Sequence, residues 1–160
     1  MTIGILLAAG NSTRFNGRHS KQLTKLGDQK VLEYSLKVFD SHSEINEIVV
    51  VTQSDLIRIV TDLVNDSFPK VTKVIKGGES RSQSSLNALE NINAAGNTKI
   101  LFHDAARPFV SNDLIKSCIK SLDKHQAVCP VIKIDDTLKK ISKKNELINK
   151  DRDKILSIQT

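Results

Sequence analysis

The sequence predicts an α/β fold of the doubly wound kind, a mostly parallel sheet inside a three-layer sandwich, and three observations carry that expectation. Short apolar runs alternate with helix-period segments from one end of the chain to the other, at the spacing of successive strand–helix units. Runs such as Ile48 to Val51 are apolar on both faces, as parallel strands covered by helices on either side must be. Polar clusters follow directly on three of the apolar runs, at the carboxyl ends where open α/β sheets bind their ligands.

The first strand, Ile3–Ala9, leads into Gly10, Asn11, Ser12, Thr13 and Arg14, with Lys21 and Gln22 beyond. Small residues let backbone N–H groups approach phosphate oxygens, and Arg14 and Lys21 supply the positive charge that a polyphosphate requires. A Walker loop is excluded, because Gly10 is followed by a second glycine only at Gly17, before Arg18 and His19. A dinucleotide fingerprint is excluded by Ser12, which stands at its second glycine. The plain alternative is a tight strand-to-helix turn. A helix with Val31, Leu32, Leu36 and Phe39 on one face follows, and then strands Glu47–Thr52 and Val71–Lys76.

After the third strand come Gly77, Gly78, Glu79, Ser80, Arg81 and Ser84. The glycines allow the backbone close to a flat base, and the Ser84 hydroxyl can donate to it or accept from it. The other reading is a helix start capped by Ser80, its apolar face formed by Leu86, Leu89 and Ile92. The fourth strand, Lys99–His103, runs into Asp104, Ala105, Ala106, Arg107 and Pro108. Asp104 stands where a carboxylate binds Mg²⁺ bridging phosphate oxygens, or where an Asx turn forms before Pro108. His103, at the strand end, is expected to be a packed, hydrogen-bonded imidazole. Ser111 is the expected N-cap of a helix whose face is Leu114, Ile115, Cys118, Ile119 and Leu122, and Ala127–Ile134 is expected as a fifth strand.

A chain of 160 residues fits one domain. Its net charge of +6 suits an anionic small substrate, whereas an aromatic content of 4% without Trp leaves few platforms for stacking bases. Much of the basicity lies in the mixed-charge stretch Lys133 to Lys154, which reads as a solvated excursion, so no nucleic-acid partner is expected. Cys118 and Cys129 form no CxxC pair and have no His at zinc-like spacing; they are expected to be buried thiols in a reducing compartment. Ile3 to Ala9 is too short for a signal core and nothing approaches a membrane-spanning length, so a cytoplasmic location without membrane association is expected. There is no Ser-His-Asp or Cys-His pattern. None is needed if one phosphate oxygen attacks another phosphate: the nucleophile is already anionic, and the protein positions groups and neutralises charge.

Taken together in order and spacing, LLAAGNSTRF with SKQL, GGESRSQSS, HDAARPFV and DDTLKK resemble the 2-C-methyl-D-erythritol 4-phosphate cytidylyltransferases of non-mevalonate isoprenoid synthesis, over essentially the whole chain. The resemblance implies a nucleotide-diphospho-sugar transferase-like fold and transfer of a cytidylyl group from CTP to methylerythritol phosphate, with release of pyrophosphate and a need for Mg²⁺. By position it implies that Arg14 and Lys21 stabilise the α-phosphate in its five-coordinate state and that Asp104 holds the metal. Ala8, Ala9, Gly10, Gly78, Glu79, Ser84 and Ala105 would meet the nucleotide, and Thr137 and Arg152 the acceptor. The polar segment 135–152 looks like the family's arm, a projecting hairpin that embraces a dimer partner, which implies a homodimer.

Three positions depart from the family pattern. Ser12 replaces the more usual glycine, Ser20 a common proline, and Glu79 a frequent aspartate. The pattern also continues past Thr160 with a further region that supplies an acidic residue and a lysine. The resemblance therefore implies that residues 1–160 are the nucleotide-binding part of a longer enzyme or of a fusion. Two other functions stay open: a ribitol-5-phosphate cytidylyltransferase for wall or capsule polymer, and a non-catalytic nucleotide-binding module. HDAARP rather than HDAVRP leans to the isoprenoid branch, and the presence of both Arg14 and Lys21 argues against the module.

Overall fold

The computed structural model describes residues 1–10 and 20–159. Strand β1 (Thr2–Leu7) is buried along its whole length, because it lies inside a four-stranded sheet. Its neighbours are β4 (Glu47–Thr52) on one side and β6 (Lys99–Asp104) on the other, while β5 (Val71–Lys76) borders β4. All three pairings are parallel, with Ile5 opposite both Val49 and Phe102. The helices α1 (Val31–Ser41), α2 (Ile57–Val64), α3 (Arg81–Glu90) and α4 (Asn112–Ser121) connect or follow these strands. A two-residue ladder, β2 (Lys25–Leu26) with β3 (Gln29–Lys30), turns through Gly27 at φ +64° before α1 begins.

Alternation along the strands divides the core in two. Leu6, Ile48 and Val50 pack with Leu32, Leu36 and Phe39 of α1, Val60 and Val64 of α2, and Ile115 and Ile119 of α4. Ile3, Ile5, Leu7, Val49 and Val51 face the other way, toward Ala88 of α3. Helices thus cover both faces, and the doubly wound three-layer architecture expected from the sequence is what the chain adopts.

Gly4 belongs to the first of these faces, directly under the buried Phe39 ring. A methyl group there would lie 2.6 Å from Phe39 Cδ1 and 3.0 Å from Cε1. Gly4→Ala is expected to lower the unfolding free energy by about 1–3 kcal/mol, the usual cost of overpacking a filled core. The denaturant midpoint at unchanged slope measures it.

Three expectations need correction. The fifth strand does not join the sheet: only Val131–Lys133 (β7) is extended, and it pairs antiparallel with β10 (Leu156–Ile158). Pro130 has no N–H to give a sheet ladder, and its carbonyl accepts from the Gln159 amide at 2.8 Å. The face of α3 centred on Leu86 and Leu89 is exposed; the helix instead buries Ser84 and Ala88, small residues that let it lie close over β1 and β4. The cysteines are not a buried pair either, since Cys129 is exposed and Cys118 only half-buried, its thiol pKa raised chiefly by desolvation.

The segment 135–152 forms the expected hairpin. Strands β8 (Lys139–Ile141) and β9 (Leu147–Asn149) pair antiparallel across a turn in which Asn145 takes φ 63° and Ser142 Oγ accepts from the amides of Lys144 and Glu146. All six strand residues are exposed. β7 and β10 form the stem of this arm.

Candidate active site

The sheet order β5-β4-β1-β6 places the reversal of strand order between β1 and β6, so a ligand crevice is expected above their carboxyl ends. Three backbone hydrogen bonds carry the ladder one step past the strands and set the rim loops at one level. The amide of Ala8 donates to Val51 O at 2.7 Å, that of Gly77 to Thr52 O at 2.8 Å, and that of Ala105 to Leu7 O at 3.0 Å. Ala8, Gly77 and Ala105 are buried beneath the rim, while Ala9, Gly10, Gly78 and Glu79 rise to it.

A cleft of about 830 Å³ lies to one side of that reversal, above β4 and β5 and not between β1 and β6, lined by Ala9, Gly77, Gly78, Glu79 and Ser80 together with Thr52, Gln53, Ser54 and Asp55. The loops around it are packed to contact. A Cβ on Gly77 would fall 2.3 Å from Ala9 Cβ and 2.9 Å from Ser84 Oγ, so only glycine lets these segments meet. Ser84 lies under the cleft, nearly fully buried, and its Oγ accepts from the Gly78 amide at 3.0 Å. Ser80 caps α3, its Oγ accepting from the Gln83 amide at 3.0 Å, as the simpler reading of that loop expected. Gln53 Nε2 donates to the Gly10 carbonyl at 3.0 Å and ties the β1 loop to the β4 loop.

On the other side of β1, Asp104 ends β6 between two guanidinium groups. Arg81 Nε lies 3.0 Å from its Oδ1, and Arg107 Nε lies 3.8 Å from its Oδ2. The turn that carries Asp104 is pinned from below. The Arg107 amide donates to Asp104 O at 2.9 Å, and His103 Nε2 donates to Arg107 O at 3.0 Å with Ser35 Oγ at 3.2 Å. His103 is buried and tilted against Phe39, ring centroids 5.4 Å apart, the packed imidazole that its position at a strand end suggested. Desolvation holds its pKa below the ordinary histidine value despite the Arg107 carbonyl and the Asp104 carboxylate. A neutral ring with its proton on Nε2 satisfies that carbonyl.

The described residues contain no group of three or more His, Cys, Asp or Glu able to hold a metal. Magnesium held between phosphate groups needs only one hard carboxylate, since water and phosphate oxygens complete its shell, and Asp104 at the end of β6 offers such a carboxylate.

Lys21 opens a short 3₁₀ turn, Lys21–Leu23, and is exposed. The next side chain, Gln22, is buried and accepts from Ser20 Oγ; a methyl group on Gly10 would come 3.6 Å from its Nε2. Gln22 thus lies beside Gly10 of the β1 loop, and Lys21 is the residue before it. Arg14 lies outside the described residues. Thr137 and Arg152 are on the arm and do not line the cleft; Arg152 Nη1 donates to the Asp135 carbonyl. Sequence reasoning missed the segment Thr52–Asp55, although the rule that directed attention to three other strand ends applies equally to that of Glu47–Thr52. It also named Arg81 without giving it a partner.

With this geometry in view, comparison with known proteins is decisive. Residues 2–160 match the family model of 2-C-methyl-D-erythritol 4-phosphate cytidylyltransferase. The chain belongs to this family. A 2-C-methyl-D-erythritol 4-phosphate cytidylyltransferase of Clostridium botulinum is 34% identical over 158 residues, 98% of this chain and 69% of its own. The bifunctional ribulose 5-phosphate reductase/CDP-ribitol pyrophosphorylase Bcs1 of Haemophilus influenzae is 38% identical over 138 residues, 85% of this chain but only 29% of that protein. Among solved structures, the 4-diphosphocytidyl-2C-methyl-D-erythritol synthase of Anaerococcus prevotii superposes with a TM-score of 0.84 at 28% identity, covering 99% of this chain and 67% of the other. The bifunctional IspDF of Campylobacter jejuni gives 0.79 at 33% identity, with 99% and 39% covered. No helix among the described residues is long and apolar enough to cross a membrane.

Proposed function

We propose that this cytidylyltransferase-family chain binds CTP at the rim of its sheet and, in the cytoplasm, transfers the cytidylyl group to 2-C-methyl-D-erythritol 4-phosphate. The observation that carries the reading is the contact between the Ala8–Gly10 and Gly77–Gly78 loops, which brings two glycine-bearing backbones together beside a cleft of nucleotide size. In the reaction an acceptor phosphate oxygen forms a bond to the α-phosphorus of CTP, the bond from that phosphorus to the β-phosphate bridging oxygen breaks, and pyrophosphate leaves with the electron pair. The nucleophile enters as an anion, so no general base is required. Lys21, with Arg14, neutralises the charge of the five-coordinate α-phosphate. Ala8, Ala9, Gly10, Gly78, Glu79, Ser84 and Ala105 position the nucleotide, Ser84 chiefly by holding the Gly78 amide. Asp104 would hold Mg²⁺, whose chemistry is to offset phosphate charge and ease departure of pyrophosphate.

Pyrophosphate release from CTP and Mg²⁺, with methylerythritol 4-phosphate and ribitol 5-phosphate offered separately against a no-acceptor blank, tests the proposal. Release with the methylerythritol acceptor alone is expected. Release with ribitol 5-phosphate alone would instead favour the second reading, which rests on the 38% identity to the Haemophilus protein named for CDP-ribitol synthesis.

The arm supplies a homodimer contact in this proposal and brings Thr137 and Arg152 to an acceptor site shared between subunits. Ile141 and Leu147 support it: they are opposed across the hairpin on one face and each is 64% exposed, an apolar pair of the kind a partner surface covers. The double variant Ile141→Asp, Leu147→Asp is expected to sediment as a monomer at concentrations where the parent chain is a dimer. An unchanged sedimentation coefficient would remove the arm from the interface.

A further inference from the structure

Asp104 has a counter-ion that comes from a different part of the fold. Arg81 is the first residue of α3, immediately after the Gly77–Ser80 loop, and it crosses to the end of β6 to place Nε 3.0 Å from Asp104 Oδ1. Among the described residues a second cation, Arg107, lies three residues along the same turn, and its Nη1 also donates to Gln159 Oε1 at 2.9 Å. Arg107 is therefore tethered to the turn that carries Asp104. Arg81 is tied to the nucleotide loop, and its side chain is half exposed at 51%. A carboxylate with a guanidinium on each oxygen is a poor site for a bare divalent cation, because the metal must displace a positive charge from the oxygen it needs.

We propose that Arg81 is an exchangeable counter-ion: it occupies Asp104 until nucleotide arrives, then turns to a phosphate as the metal takes the carboxylate. The inference rests on the reading of Asp104 as the metal ligand. It assigns Arg81 a role in coupling the two loadings, so that the cation enters with the nucleotide and not before it. The chemistry suits arginine, whose planar fork pairs with carboxylate and phosphate alike and whose charge does not titrate away. The swap is short, since Arg81 opens α3 directly after the Gly77–Ser80 loop, which is proposed to position the nucleotide. An exposed ion pair is weak enough to exchange readily.

Mn²⁺ binding followed by electron paramagnetic resonance, with and without CTP, tests the proposal in the 160-residue chain, alongside CTP binding measured in EDTA. In Arg81→Gln, Mn²⁺ uptake without CTP is expected to tighten by up to about fivefold, the scale of a half-exposed ion pair, while CTP binding in EDTA weakens by a similar factor. Arg81→Lys, which keeps the charge, is expected to hold Mn²⁺ uptake near the parent value. Circular dichroism establishes that each variant is folded. Unchanged Mn²⁺ uptake or unchanged CTP binding in folded Arg81→Gln would overturn the exchange and leave Arg81 as a clamp between two loops. Asp104→Asn separates the two levels of argument. Loss of CTP-dependent Mn²⁺ uptake in that variant upholds the metal reading whatever Arg81 does, and retention of it would overturn both.

Discussion

Replacing Lys21 by alanine is expected to cut turnover by about 10²- to 10³-fold while CTP binding changes by less than about threefold, the asymmetry of a group that acts on the transition state. The structure explains why this cation is a strong candidate. Lys21 begins a 3₁₀ turn whose second residue, Gln22, is buried against the β1 loop and whose third, Leu23, packs on the core shared by α1, α2 and α4. The turn is closed by the Leu23 amide donating to Ser20 O at 2.9 Å, and Thr24 O accepts from the Val31 amide at 3.0 Å at the start of α1. The anchored backbone fixes where the lysine stem begins, so only its side-chain rotamers remain to be ordered. In the proposed reaction its ammonium would meet the α-phosphate most strongly when charge is greatest, in the five-coordinate state. The measurement pairs kcat from pyrophosphate release with Kd from calorimetry. Equal losses in the two would assign Lys21 to ground-state binding alone.

How much of this was legible from the residues depends on the physics each signal carried. β1 and β4 were plain because Ile3, Ile5 and Leu7 face one layer and Leu6 and Ala8 the other, and a short run apolar on both faces suits a parallel strand covered on both sides; β5 and β6, only partly buried, followed from their spacing between helical segments. The rim followed from strand ends alone, and with it Gly77, Gly78 and Asp104. The stretch 127–134 misled because its apolar content matches that of a strand, whereas pairing depends on backbone donors that Pro130 lacks. The α3 face misled for a related reason. Periodicity ranks side chains by hydrophobicity, yet a helix lying close over two strands selects small ones, so Ser84 and Ala88 turn inward and Leu86 and Leu89 stay exposed. Arg81 was invisible as a partner of Asp104 because nothing local in the sequence joins residues separated by 23 positions.

Gly77→Ala is the second substitution with a large expected effect, a loss of about 3 kcal/mol in stability together with a tenfold or greater loss in CTP affinity. The added methyl would lie 2.3 Å from Ala9 Cβ, an atom fixed to its own backbone and unable to rotate away. Ser84 Oγ, at 2.9 Å, cannot yield freely because it already holds the Gly78 amide. Nor can residue 77 retreat, since its amide donates to Thr52 O at 2.8 Å and extends the β4–β5 ladder. Relief must therefore come from parting the Ala8–Gly10 loop from the Gly77–Gly78 loop, the two walls that the nucleotide is proposed to bridge. Gly96 supplies the control: a methyl there meets nothing within 4 Å, so Gly96→Ala is expected to be neutral in both measurements. Denaturant unfolding and calorimetric CTP titration of the two variants side by side decide the matter. Parent-like stability and affinity in Gly77→Ala would mean that the loops part without cost, and the close approach that supports the nucleotide reading would lose its force.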